Sequence, residues 1–215
     1  MKNAGFGIRV HSGWAALVCI SNDAGTPAVV DRGRIVIIER TMDGAKQPYH
    51  FIESLEIEEA ERHLQKCAEI SQRLAVQAIG EMLDGVTARK YRVLGCAMLL
   101  ASGRALPSLQ KILASHALIH TAEGEFFRNV VREACEHCGI PVMGIREREL
   151  DEFANATFGG AAARVQQHIS SRGRTLGSPW TQDEKIAALA GLIAVTRITP
   201  ALKRKSATHM PCGRK

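Results

Sequence analysis

Apolar residues recur at every third or fourth position along the segment Leu109–Gly139. This period predicts one long amphipathic helix with a buried stripe. Gly124 interrupts the stripe, which indicates a close packing contact or a kink. Three polar residues, His116, His120 and Glu123, stand at i, i+4 and i+7, so their side chains share one face of the predicted helix.

The chain before this segment shows the patterns of strands and of another helix. β-Branched and aromatic residues predict a strand over Gly5–Ile20, in which Gly13 marks a bend or bulge, and two shorter strands at Ala28–Asp31 and Arg34–Arg40. Turn-forming residues separate the three strands, so an antiparallel meander is expected. The segment Leu55–Leu83 then has the helical period, with a charged outer face.

The second half of the chain alternates between apolar strands and helices. The run Val93–Ala101 predicts a strand buried on both faces, and Ile140–Ile145 predicts a second strand after the long helix. A strand, a helix and a strand in this order imply a right-handed crossover between parallel strands. Arg146–Phe158 predicts a helix, and Thr181 with Glu184 forms a capping box that starts the last one.

These elements predict an α/β fold with a mixed sheet of about five strands, three antiparallel and then two parallel, flanked by helices. We expect Val93–Ala101 to be its central strand. A chain of 215 residues is long enough for one such core, and we assign it to a single domain of residues 1–198. The segment Thr199–Lys215, in which Pro200 closes the structured part, is predicted to be a disordered basic tail.

Composition places the protein among soluble globular chains, with 46% hydrophobic and 23% charged residues. No run reaches the roughly 18 apolar residues of a membrane span, and the N-terminus lacks the apolar core of a secretory signal. We therefore expect a cytoplasmic protein without a membrane partner. Its six cysteines are then small core residues in a reducing compartment, and the lone pair Cys135 and Cys138 lacks the second pair of a typical zinc site.

The net charge of +6 is distributed unevenly along the sequence. Five basic residues crowd the last stretch of the chain: Lys203, Arg204, Lys205, Arg214 and Lys215. Such a tail is compatible with nucleic-acid binding, but it does not by itself indicate a basic groove on the domain.

The order of elements resembles the ribonuclease H-like superfamily, and two short motifs resemble Holliday-junction resolvases. Gly13-Trp14 is similar to the Gly-Trp or Gly-Tyr pair that follows a turn-like break at their first strand. Thr181–Leu189 resembles their last helix, in which an acidic residue precedes an Ala-rich buried face. The resemblance covers most of residues 5–195 as topology. It implies a nuclease with two divalent metals, held by carboxylates from the first strand, the fourth strand and the last helix.

The sequence departs from this family at the acidic positions. The first-strand position expected to hold Asp lies at or near Val10-His11, and no acidic residue occurs in the whole first strand. The run Val93–Ala101 also lacks an acid, so only Asp183 and Glu184 remain at the last helix. A standard two-metal nuclease centre is therefore hard to build from this chain.

A different metal site is a candidate on the long predicted helix. His116, His120 and Glu123 are candidate ligands for one divalent metal (Mg, Mn or Zn), because two imidazoles at i and i+4 form a workable clip. His11 or Asp183 would add a ligand if the fold brings them close. Among these residues Asp183, Glu123 and His120 are the candidate catalytic groups. The alternative is structural: the histidines hydrogen-bond at the helix–sheet interface, and Asp183 stabilises a helix dipole.

Four residues are candidate nucleic-acid contacts. His11 and Trp14 could stack on a base, and Lys185 could contact a phosphate. Arg146 follows the carboxyl end of a predicted parallel strand, where open α/β sheets bind ligands. Each also has a structural interpretation, with Trp14 in the core and the charged residues at a helix start.

Three functional hypotheses remain open on the sequence. The first is a ribonuclease H-like protein that binds or processes nucleic acid, as a candidate metal-dependent nuclease with a non-standard or degenerate metal site. The second is a non-catalytic interaction or scaffold protein, pictured as a homodimer, that kept the fold and lost the nuclease chemistry. The sequence has no phosphate-binding Gly-rich loop and no GxSxG motif, although a small-molecule enzyme that uses the same pocket is a third alternative.

Overall fold

The computed structural model describes residues 1–23, 25–101 and 105–207. Within these residues five strands form one mixed sheet in the order β3-β2-β1-β4-β5. Strands β1, β2 and β3 are antiparallel neighbours, whereas β4 runs parallel to both β1 and β5. The strands are β1 (Lys2–His11), β2 (Trp14–Asp23), β3 (Thr26–Val36), β4 (Tyr91–Leu100) and β5 (Val142–Arg146).

Two long helices and several shorter ones cover the sheet. The helices are α1 (Pro48–Phe51), α2 (Ile57–Ala88), α3 (Leu109–Leu113), α4 (His116–His137), α5 (Leu150–Phe158), α6 (Ala162–Ser171), α7 (Gly173–Leu176) and α8 (Gln182–Ala207). Short 3₁₀ turns at Glu147–Glu149 and Gly159–Ala161 precede α5 and α6. The predicted α/β architecture, with three antiparallel and then two parallel strands, is confirmed.

The boundaries within the meander differ from the prediction. The segment Gly5–Ile20 is not one strand but a hairpin, because Gly13 has φ +80° and reverses the chain between β1 and β2. The dipeptide Arg32-Gly33, predicted as a turn, lies inside β3, where Gly33 pairs with Leu17. The apolar run Trp14–Ile20 therefore belongs wholly to β2.

The parallel strands form as predicted, but the predicted central strand is not at the centre of the sheet. Strand β4 is interior and parallel to both neighbours, yet β1 is the middle strand. The reason is that the hairpin places β2 and β3 on one side of β1, which leaves β4 and β5 on the other.

Two predicted helix limits also change. The long helix is broken at Ala114 and Ser115, and Ser115 has an extended backbone (φ −145°, ψ 111°) from which α4 starts, as expected of a residue type that favours helix starts. The last helix continues through Pro200 to Ala207, so the prediction that Pro200 ends the structured part is wrong. Of the predicted tail, Thr208–Lys215 lies outside the described residues.

The two faces of β1 have different partners. Ala4, Phe6 and Ile8 pack into a core with α2 and α4, whereas the glycines between them face α8. A Cβ on Gly7 would lie 1.7 Å from the backbone oxygen of Ala187, so α8 rests directly on the backbone of β1. This close contact fixes the first turn of α8 beside the carboxyl end of β1. No helix in the described part of the chain is long and apolar enough to cross a membrane.

Candidate functional site

Four charged or titratable side chains meet where β1 ends and α8 begins, and we call them the Arg9 cluster: Arg9, His11, Glu147 and Asp183. Arg9 donates one hydrogen bond from Nη2 to Glu147 Oε1 at 2.7 Å and another from Nη1 to Asp183. His11 Nε2 lies 3.2 Å from Asp183 Oδ1, although this contact lacks hydrogen-bond geometry. Asp183 thus faces two nitrogen-bearing side chains.

The alternation of strand side chains explains why Arg9 and His11 reach α8. Successive residues of a strand point to opposite faces, so Arg9 and His11 share the face of Gly5 and Gly7 that α8 covers. Asp183 stands in the first turn of α8.

The start of α8 is fixed by the predicted capping box. The Thr181 N–H donates to Glu184 Oε2 at 2.7 Å, and the Glu184 N–H donates to Thr181 Oγ1 at 3.2 Å. Arg32 of β3 also donates to Glu184 Oε1 at 3.1 Å. Asp183 is therefore presented to the sheet from a well-anchored helix end.

The donor set of the Arg9 cluster does not fit two divalent metals. Two cations a few ångströms apart need several anionic oxygens around them, whereas here a guanidinium already occupies the space between the two carboxylates. Arg9 and Asp183 are each 23% exposed at the side chain, so this fixed positive charge pairs with both acids and offsets one of their two negative charges. The Arg9 cluster therefore does not offer the set of carboxylates that the family resemblance implied for a two-metal centre.

A stack of planar groups extends from the Arg9 cluster across β2. The rings of His11 and Trp14 are 4.3 Å apart at 10°, and the Arg34 guanidinium carbon lies 3.8 Å from the centroid of the Trp14 ring. Because β2 lies between β1 and β3, His11 and Arg34 approach Trp14 from its two sides. Trp14 is thus neither a core residue nor a free stacking surface.

A groove of about 550 Å³ opens beside this stack. Trp14 and Arg34 form one wall, and the segment that follows β3 forms the other. Two exposed cations, Arg40 and Lys46, also line the groove, together with the single acid Asp43. The groove therefore has a positive balance of charge.

A second cluster, which we call the histidine cluster, consists of His50, His116 and His120. One ring nitrogen from each residue lies within 4.8 Å of the other two. His116 Nε2 and His120 Nε2 are 3.0 Å apart, and the His50 ring meets both of the others edge-to-face. His116 and His120 are exposed, and His50 is half-buried.

Glu123 lies behind the histidine cluster, and it is 4% exposed. Its Oε2 is 2.5 Å from His50 Nδ1, and its Oε1 accepts a hydrogen bond from the Tyr49 N–H at 3.2 Å. Burial raises the pKa of Glu123, and the hydrogen bonds from His50 and Tyr49 oppose that rise. Both carboxylate oxygens thus already have partners within the protein.

The five residues proposed as one candidate cluster divide between two places. His11 and Asp183 meet on the face of the sheet that α8 covers, whereas His116, His120 and Glu123 belong to α4 on the opposite face. Since the sheet separates α4 from α8, these residues do not converge on one cleft.

The other two residues predicted to contact nucleic acid, Arg146 and Lys185, lie near the Arg9 cluster. Arg146 donates to Glu149 Oε1 at 2.9 Å, within its own turn. Lys185 lines a cavity of about 370 Å³ together with Glu147, Asp151 and Gln166.

Cys135 is buried and Cys138 is half-buried, both as free thiols, and burial raises the pKa of Cys138.

Sequence reasoning missed Arg9, Arg34 and His50. Arg9 stands directly before the Val10-His11 position at which the family's acid was expected, so its charge was an available signal. His50 lies in the connection between β3 and α2, where no periodic pattern indicates which way a side chain points.

The fold is similar to that of solved resolvase structures, in agreement with the ribonuclease H-like topology that the sequence resemblance predicted. Two solved structures of RuvC, a Holliday-junction resolvase from Thermus thermophilus, match nearly the whole chain. RuvC in complex with Holliday junction substrate has a TM-score of 0.52 at 9% identity, over 93% of this chain and 96% of that one. A second RuvC structure has a TM-score of 0.51 at 9% identity, over 94% and 97%. Comparison of the sequence with family models and with curated proteins gives no match.

Proposed function

We propose that this protein binds nucleic acid, duplex or branched DNA in particular, on the α8 side of its sheet and does not cleave it by two-metal chemistry. The observation that carries the proposal is the pairing of Arg9 with Asp183 and Glu147. The guanidinium offsets one of the two negative charges that would hold metals, and it occupies the space between the two carboxylates.

The charges next to the Arg9 cluster favour a polyanionic partner. The exposed cations Arg34, Arg40 and Lys46 dominate the groove, opposed there by Asp43. Lys and Arg side chains that neutralise phosphates release condensed counterions, which drives binding at low salt. RuvC binds a Holliday junction with the same fold, and this supports DNA as the first ligand to test.

The stack through Trp14 supports contact with an unpaired base or with the backbone. Both sides of the Trp14 ring are covered by His11 and Arg34, so a base would stack on the outer side of the Arg34 guanidinium. Guanidinium planes and aromatic rings are the usual platforms for such stacking. Arg34 is therefore the residue we assign to nucleic-acid contact.

Fluorescence anisotropy with a labelled four-way junction, a duplex and a single strand at two salt concentrations tests the proposal. Arg34→Ala should weaken binding by roughly three- to tenfold and lower the salt slope by about one. Arg62→Ala is the matched control, because Arg62 is an exposed arginine of α2. It should bind like the wild type.

Incubation of the same DNAs with Mg²⁺ or Mn²⁺ tests the absence of cleavage. We expect intact substrates. Specific cleavage that Asp183→Asn abolishes would contradict the proposed absence of two-metal chemistry, and a wild type that binds none of the three DNAs would favour the interaction-protein hypothesis.

A further inference from the structure

We propose that His50, His116 and His120 bind one Zn²⁺ ion, with a fourth position open to solvent, and that Glu123 orients His50 for it. This site lies on the α4 side of the sheet and is independent of the proposed nucleic-acid binding.

The distances between the ring nitrogens are close to those of a three-histidine zinc site. With Zn–N distances of about 2.0–2.1 Å and tetrahedral angles, ligand nitrogens lie roughly 3.3 Å apart. His116 Nε2 and His120 Nε2 are already 3.0 Å apart, and the third nitrogen lies within 4.8 Å. Because His116 and His120 are exposed, their side chains are free to adjust toward an ion held by the half-buried His50.

Glu123 gives His50 the outer carboxylate partner that zinc-binding histidines commonly have. Zinc-binding histidines almost always donate their other ring N–H to a carboxylate, a carbonyl or water, which fixes the ring and raises its basicity. Here the buried Glu123 carboxylate contacts His50 Nδ1 at 2.5 Å, which leaves His50 Nε2 for the metal. Glu123 is thus a positioning residue rather than a ligand.

The segment that carries His50 is held against the domain without a metal. Pro48 and Ile52 are buried on either side of His50. The ring of Tyr49 meets Phe126 of α4 edge-to-face at 6.3 Å, and Phe51 stacks on His63 of α2 at 4.5 Å. Because this segment is already ordered by its packing, zinc binding needs to order little of the chain, and the site is preorganised.

The ligand chemistry selects zinc over magnesium and manganese. Neutral imidazoles suit Zn²⁺, whereas Mg²⁺ and Mn²⁺ prefer oxygen ligands. Three histidines with an open fourth position also match the ligand set of catalytic zinc sites. Of the metals considered from the sequence, Zn²⁺ is therefore the one this cluster fits.

Calorimetric titration of the chelator-treated full chain with Zn²⁺ tests the proposal. The wild type should bind one equivalent, and Mg²⁺ should give no binding. His116→Ala and His120→Ala should each weaken zinc binding at least tenfold while leaving the thermal melt of the metal-free protein almost unchanged, because both side chains are exposed. Glu123→Gln should weaken binding 10- to 100-fold without removing a ligand.

Two matched controls locate the ion. His137→Ala removes another exposed histidine of α4, and Cys138→Ser disables the CxxC pair; both should bind zinc like the wild type. The proposal is overturned if the wild type binds no stoichiometric zinc, if Cys138→Ser abolishes binding, or if the histidine variants retain wild-type affinity.

Discussion

Arg9 stands at the carboxyl end of β1, and its two carboxylate partners come from sequence positions 138 and 174 residues away. A hydrogen-bonded ion pair that is partly shielded from water is stronger than a surface pair. The guanidinium therefore acts as a built-in counter-ion for Asp183 and Glu147. One residue type at one strand position decides whether this end of the sheet attracts cations or tolerates a polyanion.

Replacing Arg9 by an acidic residue should make this end of the sheet bind cations. Arg9→Asp places a third carboxylate beside Asp183 and Glu147, so we expect the variant to gain Mn²⁺ binding that the wild type lacks at this site. Without metal it should melt at a lower temperature, because three like charges repel one another.

Arg9→Asn is the control for this gain, since it removes the cation without adding a charge. It should bind no Mn²⁺. Calorimetric titration with Mn²⁺ measures both variants, and an Arg9→Asp protein without a metal site would show that the acids do not converge closely enough to share an ion.

At the scale of elements, the contact between β1 and α8 positions the site. Two glycines make the contact close: a Cβ on Gly7 would overlap the Ala187 backbone, and a Cβ on Gly191 would lie 2.7 Å from the Gly7 nitrogen. Neither neighbour is a flexible side chain, so a substitution must displace the whole helix. The first turn of α8, which carries Asp183, would move with it.

Gly7→Ala should therefore destabilise the protein by about 3 kcal/mol or more, as overpacking against backbone does. Gly80→Ala is the matched control, because Gly80 lies in α2 with no atom within 4 Å of an added Cβ. Alanine there should stabilise the protein by about 0.5–1 kcal/mol through helix propensity. Urea denaturation measures both changes, and equal stability of the two variants would refute the close contact.

At the scale of the whole molecule, the sheet separates two sites of different chemistry. The Arg9 cluster lies on the side of α8 and the histidine cluster lies on the side of α4, whereas the basic groove lies between the β2–β3 end of the sheet and the segment that precedes α1. Variants of the Arg9 cluster should therefore leave zinc binding by the histidine cluster intact, as expected of sites on opposite faces of the sheet. The basic residues of the C-terminal stretch Lys203–Lys215 add further positive charge to the molecule.

Deletion of Lys203–Lys215 should leave the melting temperature almost unchanged, because this stretch has few large apolar residues with which to stabilise the domain. It should weaken DNA binding most at low salt, where each lost phosphate contact has its largest effect. Thermal melts and anisotropy titrations of the full and shortened chains measure both effects. A large fall in melting temperature would show that the stretch packs on the domain.

The sequence by itself determined the features that depend on neighbours along the chain. Alternation and helical period identified the meander, β4 and α2, and the capping box of Thr181 and Glu184 formed as predicted, because its two hydrogen bonds join residues three positions apart. The topology of a ribonuclease H-like fold followed from the order of these elements. Where a local signal was ambiguous, as at Gly13, the element boundaries were wrong.

Only the tertiary structure decided which side chains meet. Arg9 faces Asp183, and His50 completes the pair His116 and His120, through contacts between residues that are distant in sequence. A helical or strand period says which residues share a face, but not which face of the sheet a helix covers. For that reason the sequence joined Asp183 to the histidines of α4, whereas the sheet holds them on opposite sides.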